Sequence, residues 1–281
     1  MKKLLAISSA LALTLGASGQ EQASQIPGGT PEFGMLQSAL QDPKEEWTSL
    51  YNGTDLSQWR ILGRTTNTVP ATDWETARLV FLDSEDPTRL VRFPYPAANA
   101  QTAAELPAPA FANSQRGRSP DLITAAEYGD IEIYAEFVVP LGSNSGICVM
   151  GLYEIQIFDS YGKTKLDYTD NAGIYARRVE GRRIEGKPPD INVSRPPGAW
   201  QSLHIWFRAP RFDAQGKKTE NARFLRVEHN GAVVHQNFEL MGSTRFTSPW
   251  EEKAKAPLLF QRDHGGVAFR NVYIRPLPPG N

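Results

Sequence analysis

From Gly142 to Tyr161 the chain reads Gly-Ser-Asn-Ser-Gly-Ile-Cys-Val-Met-Gly-Leu-Tyr-Glu-Ile-Gln-Ile-Phe-Asp-Ser-Tyr, which predicts a turn, a strand, a second turn and a longer strand. Residues 142–146 are turn formers, since Gly and Asn tolerate positive φ and Ser and Asn bond local backbone. Ile147 to Met150 is short, apolar and bounded by glycines, as expected of a buried strand. Leu152 to Ser160 alternates. Tyr153, Ile155 and Ile157 point one way, and Glu154 and Gln156 point the other. Two polar groups able to grip hydroxyls therefore stand on one sheet face, although a solvated outer face also produces such alternation.

The same grammar recurs along the chain. Asp130–Val139 alternates, with Ile131, Ile133, Ala135 and Phe137 on one face and Glu132, Tyr134 and Glu136 on the other. Leu79–Leu82, Leu90–Phe93, Trp200–Arg208, Leu258–Gln261 and Val267–Ile274 read as further strands, and Gly173–Ala176 as a short one. Phe224–His229 and Ala232–His235 flank Asn230-Gly231, a type I′ hairpin signal. The segment from Pro94 to Pro120 has no clear period and reads as a long surface excursion. No convincing helix exceeds two turns, so an all-β antiparallel sandwich or jelly roll is expected.

Lys2 and Lys3 precede an apolar run from Leu4 to Leu15 followed by small residues. That pattern predicts a signal peptide over residues 1–19, a flexible N-terminal segment over 20–45, and a folded domain over 46–277. The protein is expected to be exported, periplasmic or secreted, with no membrane span. Its net charge of −1 gives no reason to expect nucleic acid as a partner. Cys148 is the single cysteine, so it forms no internal disulfide and reads as a small core residue.

Several blocks together resemble one family. They are Trp47–Trp59, Asn144-Ser-Gly-Ile147, Tyr153–Ser160, Ala172-Gly-Ile-Tyr175, Pro189–Gln201 and Phe269–Pro276, in that order. The chain resembles the 3-keto-glucoside lyase and hydratase domain family, also called 3-keto-disaccharide hydrolases. The resemblance implies a concanavalin A-like jelly-roll β-sandwich and a carbohydrate substrate, a 3-keto-glycoside. It also implies loss of the C2 proton and β-elimination at C1, with or without hydration of the resulting 3-keto-2-hydroxy-glucal. Such chemistry requires no cofactor; a divalent metal such as calcium is left open, because Asp167, Asp170 and Asn171 cluster as oxygen donors without a complete binding loop.

His264, in Gln261-Arg-Asp-His-Gly265, matches the family's Gln…His-Gly turn, and an imidazole can take and return a proton near neutrality. The spacing from Gln261 is one residue longer than in relatives, so Asp263 is an alternative occupant of that position. An exposed turn histidine is the bland reading. Glu154 is the second catalytic candidate. Gln156, Asn144, Gln261, Arg270 and Asp159 are candidate substrate-binding residues. Asp159 has the opposite parity from Glu154, and Arg270 has a structural ion pair as its alternative. His204, His229 and His235 lack metal-ligand spacing and read as structural. Two other functions compete: a noncatalytic lectin-like module, and a conventional two-carboxylate hydrolase.

Overall fold

The computed structural model describes residues 47–66, 68–71, 73–93, 108–113, 120–245, 250–262 and 264–277. The expected leader and tether, residues 1–45, lie outside the described residues, as does Asp263. The described chain starts with β1 (Thr48–Ser49), β2 (Trp59–Ile61) and β3 (Trp74–Ala77). A small hairpin of β4 (Leu79–Leu82) and β5 (Leu90–Phe93) precedes β6 (Ala110–Asn113) and β7 (Leu122–Thr124). The long β8 (Ile131–Val138) is followed by β9 (Asn144–Val149) and β10 (Tyr153–Phe158), and then by a hairpin of β11 (Arg177–Val179) and β12 (Arg182–Ile184). Next come β13 (Gln201–Arg208), β14 (Arg211–Phe212), β15 (Lys218–Glu220), β16 (Ala222–His229) and β17 (Ala232–Leu240). The last two strands are β18 (Leu259–Phe260) and β19 (Ala268–Pro276). No helix occurs among the described residues.

Two antiparallel sheets form the body. The larger has eight strands in the order β17-β16-β13-β8-β19-β6-β3, with β1 joining β19. The smaller has five, in the order β10-β9-β18-β7-β2. Their facing residues make one core, which includes Ile133, Ala135, Phe137, Ile205 and Phe207 from the large sheet and Ile147, Tyr153, Ile155 and Ile157 from the small one. Aromatic rings lock one end: Phe260 lies 4.9 Å from Trp59 and 4.6 Å from Phe269, and Phe111 lies 5.5 Å from Trp59. This is the expected jelly-roll sandwich. Sequence order is scrambled across each sheet, so strands distant in the chain become neighbours.

One reading changes. The excursion between Pro94 and Pro120 contains β6, whose four residues are all buried between β19 and β3. Ala110-Phe-Ala-Asn is too short and too rich in alanine to announce a strand, yet Phe111 reaches the core. On the outer face of β8, Glu132, Tyr134 and Glu136 are buried. Glu132 accepts from Arg275 at 2.7 Å and meets the His204 ring nitrogen at 2.6 Å, while Glu136 accepts from Arg270 at 2.7 Å. Trp200 covers Arg270 and Trp47 covers Arg275, with centroid distances of 4.1 and 4.6 Å. Charges taken out of water must be paired, and these are.

Three local features position the site. Met150 (φ 56°) and Gly151 (φ 63°) reverse the chain between β9 and β10. A β-carbon on residue 151 would stand 1.9 Å from the Trp250 ring, so the loop also needs glycine for close approach. The register of β9 and β10 sets Glu154 opposite Cys148, Gln156 opposite Gly146 and Phe158 opposite Asn144. The segment after β10 then folds back as a further edge: the Gln156 and Tyr175 amides donate to Gly173 and Glu154 carbonyls at 2.8 and 3.1 Å.

Candidate active site

Because Tyr153, Ile155 and Ile157 enter the core, the alternation of β10 turns Glu154 and Gln156 to the outer face of the five-stranded sheet. A cleft of ≈ 200 Å³ lies over that face. It is lined by Glu154, Gln156, Asn144, Gln261 and His264, with Thr244, Arg245, Tyr175, Arg178 and Arg183 completing the described wall. Five of the seven residues singled out from the sequence therefore meet in one place, although Asn144 and His264 are 120 positions apart. Asn144 and His264 form an isolated antiparallel bridge, which continues the pairing beside β9. The Gln261 amide donates to the Gly146 carbonyl at 2.9 Å, and the Ser145 hydroxyl donates to the Gln261 carbonyl at 2.7 Å. Both turn residues are thus tied to the strand that carries Asn144.

The cleft has a buried floor and an open rim. Glu154 and Gln156 are buried, whereas His264 is exposed. Thr244 holds the strand that carries Glu154, its hydroxyl accepting from the Glu154 amide at 2.9 Å. The Gln156 side-chain nitrogen donates to the Asn144 side-chain oxygen at 3.4 Å and to the Thr169 carbonyl at 3.2 Å. The Gln156 Oε1 atom is buried and accepts no bond from the described residues. An acceptor left without a donor costs about 1–3 kcal/mol, so a hydroxyl arriving in the cleft would recover that cost.

Arg245 fixes positive charge at the floor. Its guanidinium pairs with Asp121, and both side chains are largely buried. Burial works against its charge, but the adjoining Asp121 carboxylate keeps the guanidinium protonated. Asp121 is anchored in turn by the Arg262 amide, which donates to it at 3.0 Å. Burial, and then the charge of Glu154, push the Cys148 thiol up, so it stays protonated and inert.

Two expected site residues stand elsewhere. Arg270 belongs to the eight-stranded sheet, where the register of β19 and β8 places it opposite Glu136. It pairs with Glu136 and not with Glu154, because Phe269 enters the core and the next residue faces outward; a bulge with Asn271 at φ 49° then returns Val272 to the core. Asp159 follows the end of β10 and does not line the cleft; its carboxylate accepts from the Gly142 amide at 3.0 Å and braces that turn. The Asp170 carboxylate receives the Ser160 hydroxyl at 2.8 Å, the Lys163 ammonium at 2.5 Å and the Asp167 amide at 2.9 Å. Among the described residues no group of three or more His, Cys, Asp or Glu side chains converges as metal ligands would.

Thr244, Arg245, Arg178 and Arg183 were not foreseen. Thr244 and Arg245 come from the segment between β17 and β18, which carries no periodicity. The hairpin had a readable signal, Glu180-Gly181 between two short basic runs, and its residues take φ 49° and 79°.

A sequence profile of the 3-keto-alpha-glucoside-1,2-lyase-like domain matches residues 46–275. The chain belongs to that family. Membership makes it a carbohydrate-active enzyme or binding domain. No curated protein matches the chain significantly. Among solved structures, a candidate glycosyl hydrolase from Parabacteroides distasonis ATCC 8503 is 21% identical, with a TM-score of 0.54 over 82% of this chain and 84% of that one. A second from the same organism is 16% identical, with a TM-score of 0.45 over 83% and 94%. The carbohydrate-binding module CBM66 from Bacillus subtilis is 10% identical, with a TM-score of 0.35 over 59% and 86%. At such identities the first match shows the fold, and the other two carry no argument.

Proposed function

We propose that this protein cleaves 3-keto-glycosides by elimination, using Glu154 and His264. A ketone at C3 acidifies the hydrogen on C2. Glu154 removes that proton, and the electron pair forms an enolate whose charge develops on the C3 oxygen. Collapse of the enolate forms the C1–C2 double bond and breaks the bond from C1 to the leaving oxygen. His264, at the rim, supplies the proton that this oxygen needs, so an alcohol and a 3-keto-2-hydroxy-glucal result. In the reverse sense, His264 takes a proton from water as its oxygen adds to C1, and Glu154 returns its proton to C2. The sum is hydrolysis, with both groups reset.

The observation that carries this reading is the donor set. Among the described lining residues Glu154 is the one carboxylate, and it shares the cleft with an imidazole and the amides of Gln156, Asn144 and Gln261. An elimination needs a base, a proton donor and hydrogen-bond donors for an oxyanion, and the Arg245 guanidinium and the side-chain amides line the same cleft. The apolar run Leu4–Leu15 behind Lys2 and Lys3 supports a site of action outside the cytoplasm.

The test is incubation with a 3-keto-disaccharide and with its unoxidised parent. Turnover of the keto form alone is expected. Turnover of both would indicate ordinary hydrolysis, and binding of either without turnover would indicate a lectin.

A further inference from the structure

The hairpin of β11 and β12 brings two arginines to the cleft. Arg178 and Arg183 are directly opposite in its register, so both project from one face, and both line the cleft. Like charges facing each other across a strand pair are destabilising. On the other face of the hairpin Arg177 pairs with Glu185 at 2.8 Å. Arg183 is held by neutral groups. One guanidinium nitrogen donates to the Tyr175 hydroxyl, the guanidinium lies 5.1 Å from that ring's centroid, and Tyr168 packs edge-on against Tyr175 at 5.5 Å. Hydrogen bonds to these phenols, Tyr175 first and Tyr168 with it, raise the pKa of Arg183 without cancelling its charge. Two phenols therefore aim a cation into a sugar-sized cleft whose single described carboxylate, Glu154, is on the floor.

We infer that this cleft selects a substrate carrying an anionic group, a carboxylate on the sugar or on the aglycone, which Arg183 and Arg178 bind. The inference rests on the elimination reading for its substrate scaffold. A planar guanidinium matches a carboxylate in a bidentate way, and such charge-assisted bonds are about twice as strong as neutral ones.

Three 3-keto substrates test this with the full chain: a glucoside of a neutral phenol, the glucuronoside of the same phenol, and a glucoside of a carboxyphenol. At least one acidic substrate is expected to exceed the neutral one in kcat/KM by about tenfold or more, the factor that a hydrogen bond to a charged group commonly supplies. The two acidic arms separate a carboxylate on the sugar from one on the aglycone. The ratio should fall with added salt and should narrow in Arg183→Gln. Equal kcat/KM for all three, or a ratio unchanged in Arg183→Gln, overturns the inference. Calorimetric binding of methyl glucuronoside, methyl glucoside and carboxyphenyl glucoside provides a second readout that needs no turnover. If none of the keto substrates reacts, the elimination reading fails, and the calorimetry still decides the anion site: tighter acidic ligands sustain it, and equal affinities overturn it.

Discussion

Glu154 lies over Gly146, with its Oε1 atom 2.7 Å from the point where a β-carbon on residue 146 would stand. The glycine is not required by its backbone, since its φ is not positive. What it provides is room for the carboxylate on the small sheet's outer face. Cγ and Cδ of Glu154 would also be crowded, at 3.1 and 3.2 Å, so the whole end of the side chain would have to move.

Gly146→Ala is accordingly expected to damage activity more than stability. The obstructed atoms are the flexible end of a side chain, so the fold should yield cheaply, with melting shifted by only a few degrees. The base, however, would leave its position, and a displacement of about 1 Å can cost on the order of a hundredfold in rate. Parallel melting curves and kcat/KM values check this. A variant with full activity would mean that the carboxylate position does not matter to the chemistry.

The parity of β10 made Glu154 and Gln156 legible as a pair, because a strand with one apolar face must turn its other face outward. Asn144, Gln261 and His264 were legible through the resemblance, since nothing in their local sequence says which strands become neighbours. Arg270 takes the structural ion pair that was its alternative reading, and its partner, Glu136, follows from sheet membership, which its local sequence does not state. The buried strand β6 was hidden by composition, because Ala110 and Ala112 give too little contrast with the polar residues around them. Thr244 and Arg245 were invisible because their role comes from a loop that crosses the sheet, bonded to the Leu152 carbonyl at 2.9 and 3.2 Å.

Acid should loosen the fold through two buried histidines outside the cleft lining. Burial, assisted by Arg195, pushes His229 down to about 3. Burial pushes His235 down to about 4, with Lys187 adding to the effect and the Ala172 carbonyl partly opposing it. In the unfolded chain both titrate near 6.5. Below that pH the unfolded chain binds protons that the folded one refuses. Stability is therefore complete above about pH 6.5 and is lost on acidification, by roughly 1.4 kcal/mol per histidine per pH unit, until the folded rings protonate. Urea midpoints should fall between pH 6.5 and 5, above the range where Asp130 and Glu132, both held below ordinary carboxylates, begin to contribute. His235→Gln should show a shallower fall. A flat midpoint across that window would be incompatible with two neutral buried imidazoles.

Deuterium at C2 tests the bond-breaking step directly. Elimination cannot proceed while that bond is intact, so a 3-keto substrate deuterated at C2 should react more slowly wherever proton removal limits the rate. The sugar released in ordinary water should carry hydrogen at C2 to the extent that the Glu154 carboxyl exchanges its deuteron with water before the glucal is hydrated. Glu154→Gln keeps the shape of the floor and removes the base; it should lose about a hundred- to ten-thousandfold in kcat, the usual contribution of a positioned acid–base group. His264→Ala should lose most with a poor leaving group and less with an acidic phenol, which departs without needing a proton. That dependence on the leaving group separates the rim from the floor: equal losses for both phenols would remove His264 from the role of proton donor. Complete retention of deuterium, with no isotope effect and no 3-keto-2-hydroxy-glucal detectable during turnover, would exclude the elimination itself.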